Sequence, residues 1–225
     1  MNYYIADLHI GHANCIRFDD RPFADVDEMN RTLVANWNSV VTDADTVYIL
    51  GDFIWSKESL WPGWLEQLKG NKVLIRGNHD PKEFSQQTKC FFQDIKDYKE
   101  ITDSSRHVIM CHYPMPFHRA AYDEKCIMLY GHVHKTREYA MLKEIRRDIR
   151  NSCTERHHAC GQFINVGCMM PWMNYTPRTL EQIIDGDNKA YILEETERYQ
   201  KIGAFPIILR SKESEHENGK KSKTG

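Results

Sequence analysis

Short apolar runs that end abruptly in polar residues recur along this 225-residue chain. The runs are about four residues long, too short for helices, and nearly continuous in apolar character, as in strands buried on both faces of a sheet. They therefore predict buried strands, each followed by a loop. The predicted strands are residues 3–6, 47–50, 73–76, 108–111, 127–130 and 163–166.

A helical spacing of apolar residues separates the first two predicted strands. Apolar side chains recur every three or four positions over residues 26–41, which is typical of a helix with one buried face. Asp25 precedes this helix and can cap it, and Glu28 three positions later completes a capping box. The resulting β-α-β order predicts an α/β fold with a mostly buried sheet.

Weaker patterns complete the predicted secondary structure. A second helix is expected over residues 64–69, because Gly70 follows it and favours a helix end. Residues 94–101 and 162–167 are expected to form short strands.

The length and composition of the chain are those of one globular domain. With 225 residues, 41% of them hydrophobic, the chain can bury a single core, and we assign residues 1–210 to one domain. Residues 211–225 lack apolar periodicity and are predicted to form a disordered tail.

Residues 135–161 are interpreted as an insertion with one exposed helix, and as a candidate lid. That helix is expected from the spacing of Tyr139, Leu142, Ile145 and Ile149.

The insertion also carries four Cys and His side chains that are candidate zinc ligands. Their spacing matches no zinc-finger pattern, so a solvated loop with incidental thiols is the preferred interpretation. Seven cysteines in the whole chain, an odd number, favour reduced thiols over a disulfide framework. The four candidate zinc ligands in the insertion are Cys153, His157, His158 and Cys160.

Charge and hydropathy argue against two broad classes of protein. Thirty basic and 32 acidic residues give a net charge of −2, so the chain as a whole does not attract nucleic acid or an anionic membrane. Its longest apolar runs span four to six residues, far below the roughly 20 that cross a bilayer. The N-terminus lacks the basic segment and apolar stretch of a secretory signal. We therefore expect a cytoplasmic protein with no membrane partner.

Asp, Asn and His residues follow five of the predicted strands, always at the C-terminal end. Ligands bind at that edge of open α/β sheets, so five separate pieces of sequence should converge on one crevice. Their donors are two carboxylates, one amide oxygen and four or five imidazoles, too many for one tetrahedral ion and suited to two ions that share a ligand. The five blocks are Asp7-Leu8-His9, Gly51-Asp52, Gly77-Asn78-His79-Asp80, His112 and Gly131-His132-Val133-His134.

Glycine immediately precedes three of these polar residues. Glycine tolerates backbone angles that other residues avoid. We therefore expect the glycines before Asp52, Asn78 and His132 to form tight turns that swing each ligand back over the sheet edge.

The ordered set of blocks resembles the calcineurin-like metallophosphoesterases, whose pattern is D-x-H, GD, GNH-[DE], H and GH-x-H in the same order. The stretch DLHIGHANCIRFDDRPF, with LGDF and YGHVH further along, is similar to a small stand-alone bacterial and phage-type branch of that family. The resemblance covers about residues 3–184. It implies an α/β/β/α sandwich of two mixed sheets flanked by helices.

The resemblance also implies a pair of divalent metal ions that share one carboxylate. Mn²⁺ is favoured by the resemblance, whereas the imidazole and carboxylate ligands suit Fe or Zn²⁺ equally well. The shared ligand is Asp52. The remaining ligands are Asp7, His9 and His134 for one ion, and Asn78, His112 and His132 for the other.

His79 is left without a metal-binding role. In the family this histidine contacts the phosphate and protonates the leaving group, and the acid that follows it, Asp80, orients it. Two neighbouring cations lower the pKa of a bridging water and neutralise phosphoryl oxygens, and imidazole titrates in the range that a proton donor needs. The sequence therefore predicts hydrolysis by a metal-bridging hydroxide, with His79 as general acid and Asp80 beside it.

The expected partner is a small phosphorylated substrate. A phosphodiester or nucleotide is favoured over a phosphoprotein, because the small, nearly neutral chain has no evident docking domain. His12, Arg17 and Arg21 are candidate substrate-binding residues. The alternative is that these side chains lie at the surface and contact only water. Aromatic residues could stack a nucleobase, with core packing as the alternative. These are Phe53, Trp55, Trp61 and Trp64, together with the loop 112–119.

Two other functions are compatible with the same blocks. One is a metal-holding scaffold that keeps the fold without catalysis, which the intact His79 and complete ligand set argue against. The other is a nuclease of the same superfamily, which the absence of a basic stripe disfavours. The sequence leaves the oligomeric state open.

Overall fold

Four strands from the first half of the chain form a fully parallel sheet. They are β1 (Asn2–Ile5), β2 (Thr46–Ile49), β3 (Asn71–Ile75) and β4 (Phe92–Lys96). They lie side by side in chain order, and each pairs with the next in parallel. The computed structural model that shows this describes residues 1–152 and 162–201.

The next four strands form a second, mixed sheet. They are β5 (Tyr98–Asp103), β6 (Arg106–Cys111), β7 (Cys126–Tyr130) and β8 (Phe163–Asn165). β5 pairs with β6 in antiparallel fashion, whereas β6, β7 and β8 are parallel. The predicted strands are thus confirmed, except that residues 94–101 contain parts of two strands, β4 and β5, which belong to different sheets. The implied pair of mixed sheets needs one correction, because only the second sheet is mixed in its strand pairing.

Helices flank the two sheets, so the predicted α/β architecture is confirmed. Asp25 caps α2 as predicted: its side chain accepts the Glu28 N–H at 2.8 Å. The Glu28 carboxylate also turns back, but it accepts the N–H of Ala24 at 2.7 Å, one residue before the cap, so the predicted capping box is only partly formed. The helices are α1 (Ala13–Phe18), α2 (Val26–Val40), α3 (Trp61–Leu65), α4 (Gln86–Lys89), α5 (Arg137–Asn151) and α6 (Leu180–Lys201).

The helix predicted over residues 64–69 lies earlier in the chain than expected. α3 begins at Trp61 and ends at Leu65, after a 3₁₀ turn over Glu58–Leu60. Pro62 occupies the first turn, where its missing N–H costs no helical hydrogen bond. The carbonyl of Lys69 instead accepts the indole N–H of Trp37 at 2.9 Å. Gly70 therefore follows a turn rather than the helix end.

The second sheet is buried on both faces, and this changes the interpretation of α5. Val108 and Met110 of β6 belong to the main core shared with the first sheet, whereas the intervening Ile109 faces a second apolar cluster. Leu142 of α5 is buried in that second cluster, with Ile145 and Ile149 packed against it. The helix predicted here is confirmed, but its expected exposure is wrong, because its apolar stripe covers the outer face of the sheet.

The remaining predictions about chain organisation stay predictions. One compact unit, Met1–Asp187, contains both sheets, and a second unit begins at Asn188. The insertion over residues 135–161, its role as a lid and the single domain over residues 1–210 are not decided by this division. Among the described residues, no helix combines the length and apolar character needed to span a membrane. The tail over 211–225 and the side chains Cys153, His157, His158 and Cys160 lie outside the described residues.

Candidate metal centre

The first set of predicted ligands meets at the carboxyl ends of β1, β2 and β7. Each of four side chains offers one ligand atom within 4.8 Å of the ligand atoms of the other three. The Nε2 atoms of His9 and His134 lie 3.3 Å apart, and His134 Nε2 is 3.7 Å from Asp7 Oδ1. Three of the four side chains are buried and His134 is half-buried. The set is Asp7, His9, Asp52 and His134.

The second set adjoins the first through Asp52. His112 Nε2 lies 3.6 Å from Asp52 Oδ2, and His9 Nε2 lies 3.6 Å from the same oxygen. His112 Nε2 is also 3.1 Å from Asn78 Oδ1, and the rings of His112 and His132 are 5.1 Å apart. The carboxylate of Asp52 is therefore the member common to both predicted ligand sets.

Five of the seven predicted ligands adopt left-handed backbone angles. Such angles are uncommon outside glycine, although Asp, Asn and His tolerate them best. Strained residues of this kind cluster at functional sites and persist only where the surrounding structure enforces them. Their φ values are +55° for Asp7, +50° for His9, +50° for Asp52, +72° for His132 and +44° for His134.

The glycines have a different role from the one expected. Only Gly51 of the three has a positive φ, at +83°. A Cβ on Gly77 would lie 2.3 Å from Asp52 Oδ1, and a Cβ on Gly131 would lie 2.8 Å from Asp7 Oδ2. Glycine is needed at these two positions because the ligand carboxylates approach the backbone closely, while the unusual angles fall on the ligands themselves.

Hydrogen bonds and burial leave lone pairs directed into this site. His112 Nδ1 donates to the Leu50 carbonyl at 2.8 Å, so in a neutral imidazole Nε2 carries a lone pair, which faces the amide oxygen of Asn78. Two acceptors in contact repel unless a cation lies between them. Burial lowers the pKa of His9 to about 2, and burial followed by the charge of His112 lowers that of His132. Both rings are therefore neutral, and able to bind a metal, at neutral pH.

Two buried carboxylates add to the demand for positive charge. Asp7 is fully buried and accepts the His132 N–H at 3.1 Å on both oxygens. Burial, with the charge of Asp52 as a smaller contribution, raises the pKa of Asp7. Isolated buried carboxylates are strongly disfavoured unless a cation or hydrogen bonds compensate them. The donor set therefore fits divalent metal ions.

Asp19 and Arg21 form hydrogen bonds to residues of this centre. Asp19 was not predicted from the sequence. Asp19 Oδ1 accepts from His134 Nδ1 at 2.7 Å, and Arg21 donates to Asp19 Oδ2 through Nε at 3.0 Å and Nη2 at 2.8 Å. Burial would raise the pKa of Asp19, but the hydrogen bond and charge of His134 and the charge of Arg21 lower it. The one signal available in the sequence was an acid two positions before Arg21, in the segment that follows the first block.

The proposed contact of Arg21 with substrate is wrong. Its side chain is only 4% exposed, and besides Asp19 it donates to the carbonyls of Asp7 at 2.9 Å and Leu8 at 3.0 Å. It therefore fixes the strained backbone of the first ligand block. Arg17, in contrast, is exposed, with its guanidinium 5.7 Å from the centre of the Phe18 ring.

Asp80 also contacts backbone rather than a catalytic ring. Its carboxylate accepts the N–H groups of Asp52 at 3.0 Å, Phe53 at 3.0 Å and Gly77 at 2.7 Å. Among the hydrogen bonds of the described residues, none joins it to the imidazole of His79. Asp80 therefore ties the Asp52 loop to the Gly77 loop, and the expectation that it orients the His79 ring directly is corrected.

His79 lies at the open side of the centre. Its side chain is 46% exposed, and Nε2 lies 4.0 Å from Asp52 Oδ2. Its backbone N–H donates to Asp52 Oδ1 at 3.0 Å. The ring is thus positioned through its own main chain and can reach a molecule bound over Asp52.

The aromatic candidates divide into core and surface. Phe53 and Trp61 are fully buried in the main core, and Trp64 is partly buried against it, so core packing accounts for these three. Trp55 is 42% exposed, with its ring 4.9 Å from that of His79. The His12 ring lies 5.6 Å from the His9 ring, which places His12 beside the ligand set.

Comparison with known proteins agrees with this arrangement. The sequence model of the calcineurin-like phosphoesterase superfamily domain matches residues 3–184. An uncharacterised protein of Methanocaldococcus jannaschii is 36% identical over 152 residues, covering 67% of this chain and 80% of that protein. The gene 66 protein of Mycobacterium phage L5 is 43% identical over 82 residues, which are 35% of this chain and 39% of the phage protein.

A solved structure shares the fold. The crystal structure of a protein of unknown function from Aquifex aeolicus superposes with a TM-score of 0.57 at 25% sequence identity, covering 82% of this chain and 98% of that chain. The matched length includes nearly the whole of the solved protein, so the likeness concerns the complete sandwich and not one sheet of it.

Replacing Asp19 with Asn should weaken metal binding. Asn keeps the size of the side chain but removes the charge that orients His134, and loss of such a partner typically lowers metal affinity about 10- to 100-fold. Calorimetric titration of metal-free protein with Mn²⁺ measures the change. Asp20→Asn is the matched control, because Asp20 is exposed in the same loop. Equal affinities for the two variants would contradict the role given to Asp19.

Proposed function

This chain belongs to the calcineurin-like phosphoesterase superfamily, and we propose that it is a metal-dependent hydrolase that cleaves phosphate esters with two divalent ions. The observation that carries the proposal is the meeting of two donor sets at one oxygen: His9 Nε2 and His112 Nε2 both lie 3.6 Å from Asp52 Oδ2. Donors from five strand ends thereby surround a shared carboxylate. Mn²⁺ is the favoured ion, with Fe or Zn²⁺ also suited to these ligands.

The chain would hold the two ions with separate ligands on either side of Asp52. Bound ions of this kind supply a nucleophilic water at neutral pH and neutralise charge on phosphoryl oxygens. The protein's part is to keep His9 and His132 neutral by burial and to hold the ligands in a fixed, strained geometry. The ligands are Asp7, His9 and His134 on one side, and Asn78, His112 and His132 on the other.

His79 is the proposed general acid. It is the exposed histidine of the GNHD block, and its Nε2 lies 4.0 Å from Asp52 Oδ2, so a phosphate ester over Asp52 is within its reach. A proton held on this ring passes to the departing oxygen, and the alcohol leaves neutral instead of as an alkoxide. Asp80 acts indirectly, because its bonds to the Gly77 and Asp52 backbones fix the loop from which His79 projects.

A phosphodiester or nucleotide is the proposed substrate class, in preference to a phosphoprotein. The net charge of −2 gives no long-range attraction for a polyanion, so an anionic substrate must be held locally at the metal centre. The exposed side of the centre carries rings, Trp55 and His12, next to His79. Such surroundings suit a small organic phosphate better than a nucleic acid backbone.

The activity itself is tested with chromogenic esters. Mn²⁺-loaded protein should hydrolyse bis-p-nitrophenyl phosphate, p-nitrophenyl phosphate or both, and chelation of the metal should abolish the activity. Initial rates at 400 nm, with metal content measured on the same sample, provide the readout. If a sample with both ions bound turned over neither ester, the non-catalytic scaffold would replace this proposal.

Replacing His79 with Ala should separate metal binding from proton transfer. The variant should keep its metal, because His79 is outside both ligand sets, and should lose about 10²- to 10⁴-fold in kcat on an alkyl ester, the usual contribution of a general acid. The loss should be much smaller on a p-nitrophenyl ester, whose leaving group needs no proton. His107→Ala, which removes a histidine paired with Glu100 on the second sheet, is the control. Equal losses on both esters would exclude the general-acid role.

A further inference from the structure

Three rings form a row on the surface beside the metal centre. The His12 ring stacks on Trp55 with centroids 4.0 Å apart and planes 13° apart, and it meets Phe18 edge-on at 6.4 Å. The Trp55 end of the row lies 4.9 Å from the His79 ring. We call Phe18, His12 and Trp55 the aromatic shelf.

The backbone beneath the aromatic shelf is fixed. Ile10 and Ile54 pair as a parallel bridge, both side chains are buried, and the Trp55 N–H donates to the Ile10 carbonyl at 2.8 Å. Alternation along an extended segment then turns Trp55 away from the core. A Cβ on Gly11 would lie 3.2 Å from the Trp55 carbonyl oxygen, so the two loops touch and hold the shelf in place.

Core packing does not account for the shelf. Phe18 is 68% exposed and Trp55 is 42% exposed, whereas Trp37 and Trp61 are at most 1% exposed in the main core. Large aromatic surface left in water is unfavourable, and it is informative when it adjoins a site of chemistry. The His12 ring covers one face of the indole, and the exposed part of Trp55 is accessible to a flat partner.

We propose that the aromatic shelf binds the nucleobase of a mononucleotide substrate while the phosphate lies at the metal centre. The inference rests on the proposed function and narrows its substrate class. A base presents a flat π-face, which stacks on indole and phenyl rings without needing a hydrogen-bond code. Because Trp55 adjoins His79, a base stacked there places its attached phosphate next to the general acid. Sugar phosphates without a base would leave the shelf uncovered.

Binding of two matched phosphates tests this inference. Adenosine 5′-monophosphate and ribose 5-phosphate share the sugar and the phosphate and differ in the base. The measurement uses Mn²⁺-loaded His79→Ala protein, which should keep its metal and turn over alkyl esters only slowly, and in it the nucleotide should bind about tenfold more tightly, the usual order for one stacked base. With Trp55→Leu added this ratio should fall close to one, and with Trp55→Phe, which keeps a ring, most of it should remain. Calorimetry gives the dissociation constants, and thermal melting checks that both variants are folded.

The outcomes separate the shelf from the catalytic activity. Equal affinity of the His79→Ala protein for the two phosphates, or a ratio that survives when Trp55→Leu is added to it and the protein is folded, would overturn the inference. A short single-stranded oligodeoxynucleotide that bound more tightly than the mononucleotide, with steep salt dependence, would assign the shelf to a nucleic acid strand and also overturn it. Failure of wild-type protein to hydrolyse the p-nitrophenyl esters would refute the proposed function alone, because the binding ratio is measured separately, on the His79→Ala protein.

Discussion

The carboxylate of Asp52 is the feature on which the rest of the site depends. Its Oδ2 atom is within 3.6 Å of imidazole nitrogens from both ligand sets, while Oδ1 accepts the backbone N–H of His79. With Asp7, it concentrates negative charge in a buried crevice, in which burial keeps the imidazoles of His9 and His132 neutral. Buried charge of this kind needs compensation, and in the proposed two-ion centre the shared oxygen would link the occupation of one half of the site to that of the other.

The crevice is associated with backbone strain in several of its residues. Five ligands take left-handed angles, and strain of this kind is of the order of 1–3 kcal/mol per residue in unfavourable cases. Two sets of buried hydrogen bonds compensate for this strain. Arg21 and Asp19 hold the first block and orient His134, and Asp80 joins the loops after β2 and β3. Contacts within the protein thus hold the predicted ligands in place, while His79 and Trp55 remain exposed.

The strands and the ligand blocks could be predicted because their signals are local and ordered. A buried strand needs a continuous apolar run, and a ligand at its end needs a particular residue type, so both are visible in sequence. Arg21 was misassigned because an arginine in a loop looks the same whether solvated or buried against Asp19. The exposure expected for α5 was wrong because sequence shows an apolar stripe, not the sheet face that it covers. The role of Asp80 was predicted wrongly because two of the three N–H groups that its carboxylate accepts belong to Asp52 and Phe53, which lie 28 and 27 positions earlier in the chain.

Metal content after reconstitution tests the shared carboxylate most directly. The wild-type protein, dialysed with Mn²⁺ and analysed by elemental mass spectrometry, should retain about two ions per chain, as a two-metal phosphoesterase centre requires. Asp52→Asn removes the charge common to both ligand sets and should retain about one ion or fewer. A wild-type protein that kept no transition metal, or an Asp52→Asn variant that bound both ions with unchanged affinity, would contradict the account.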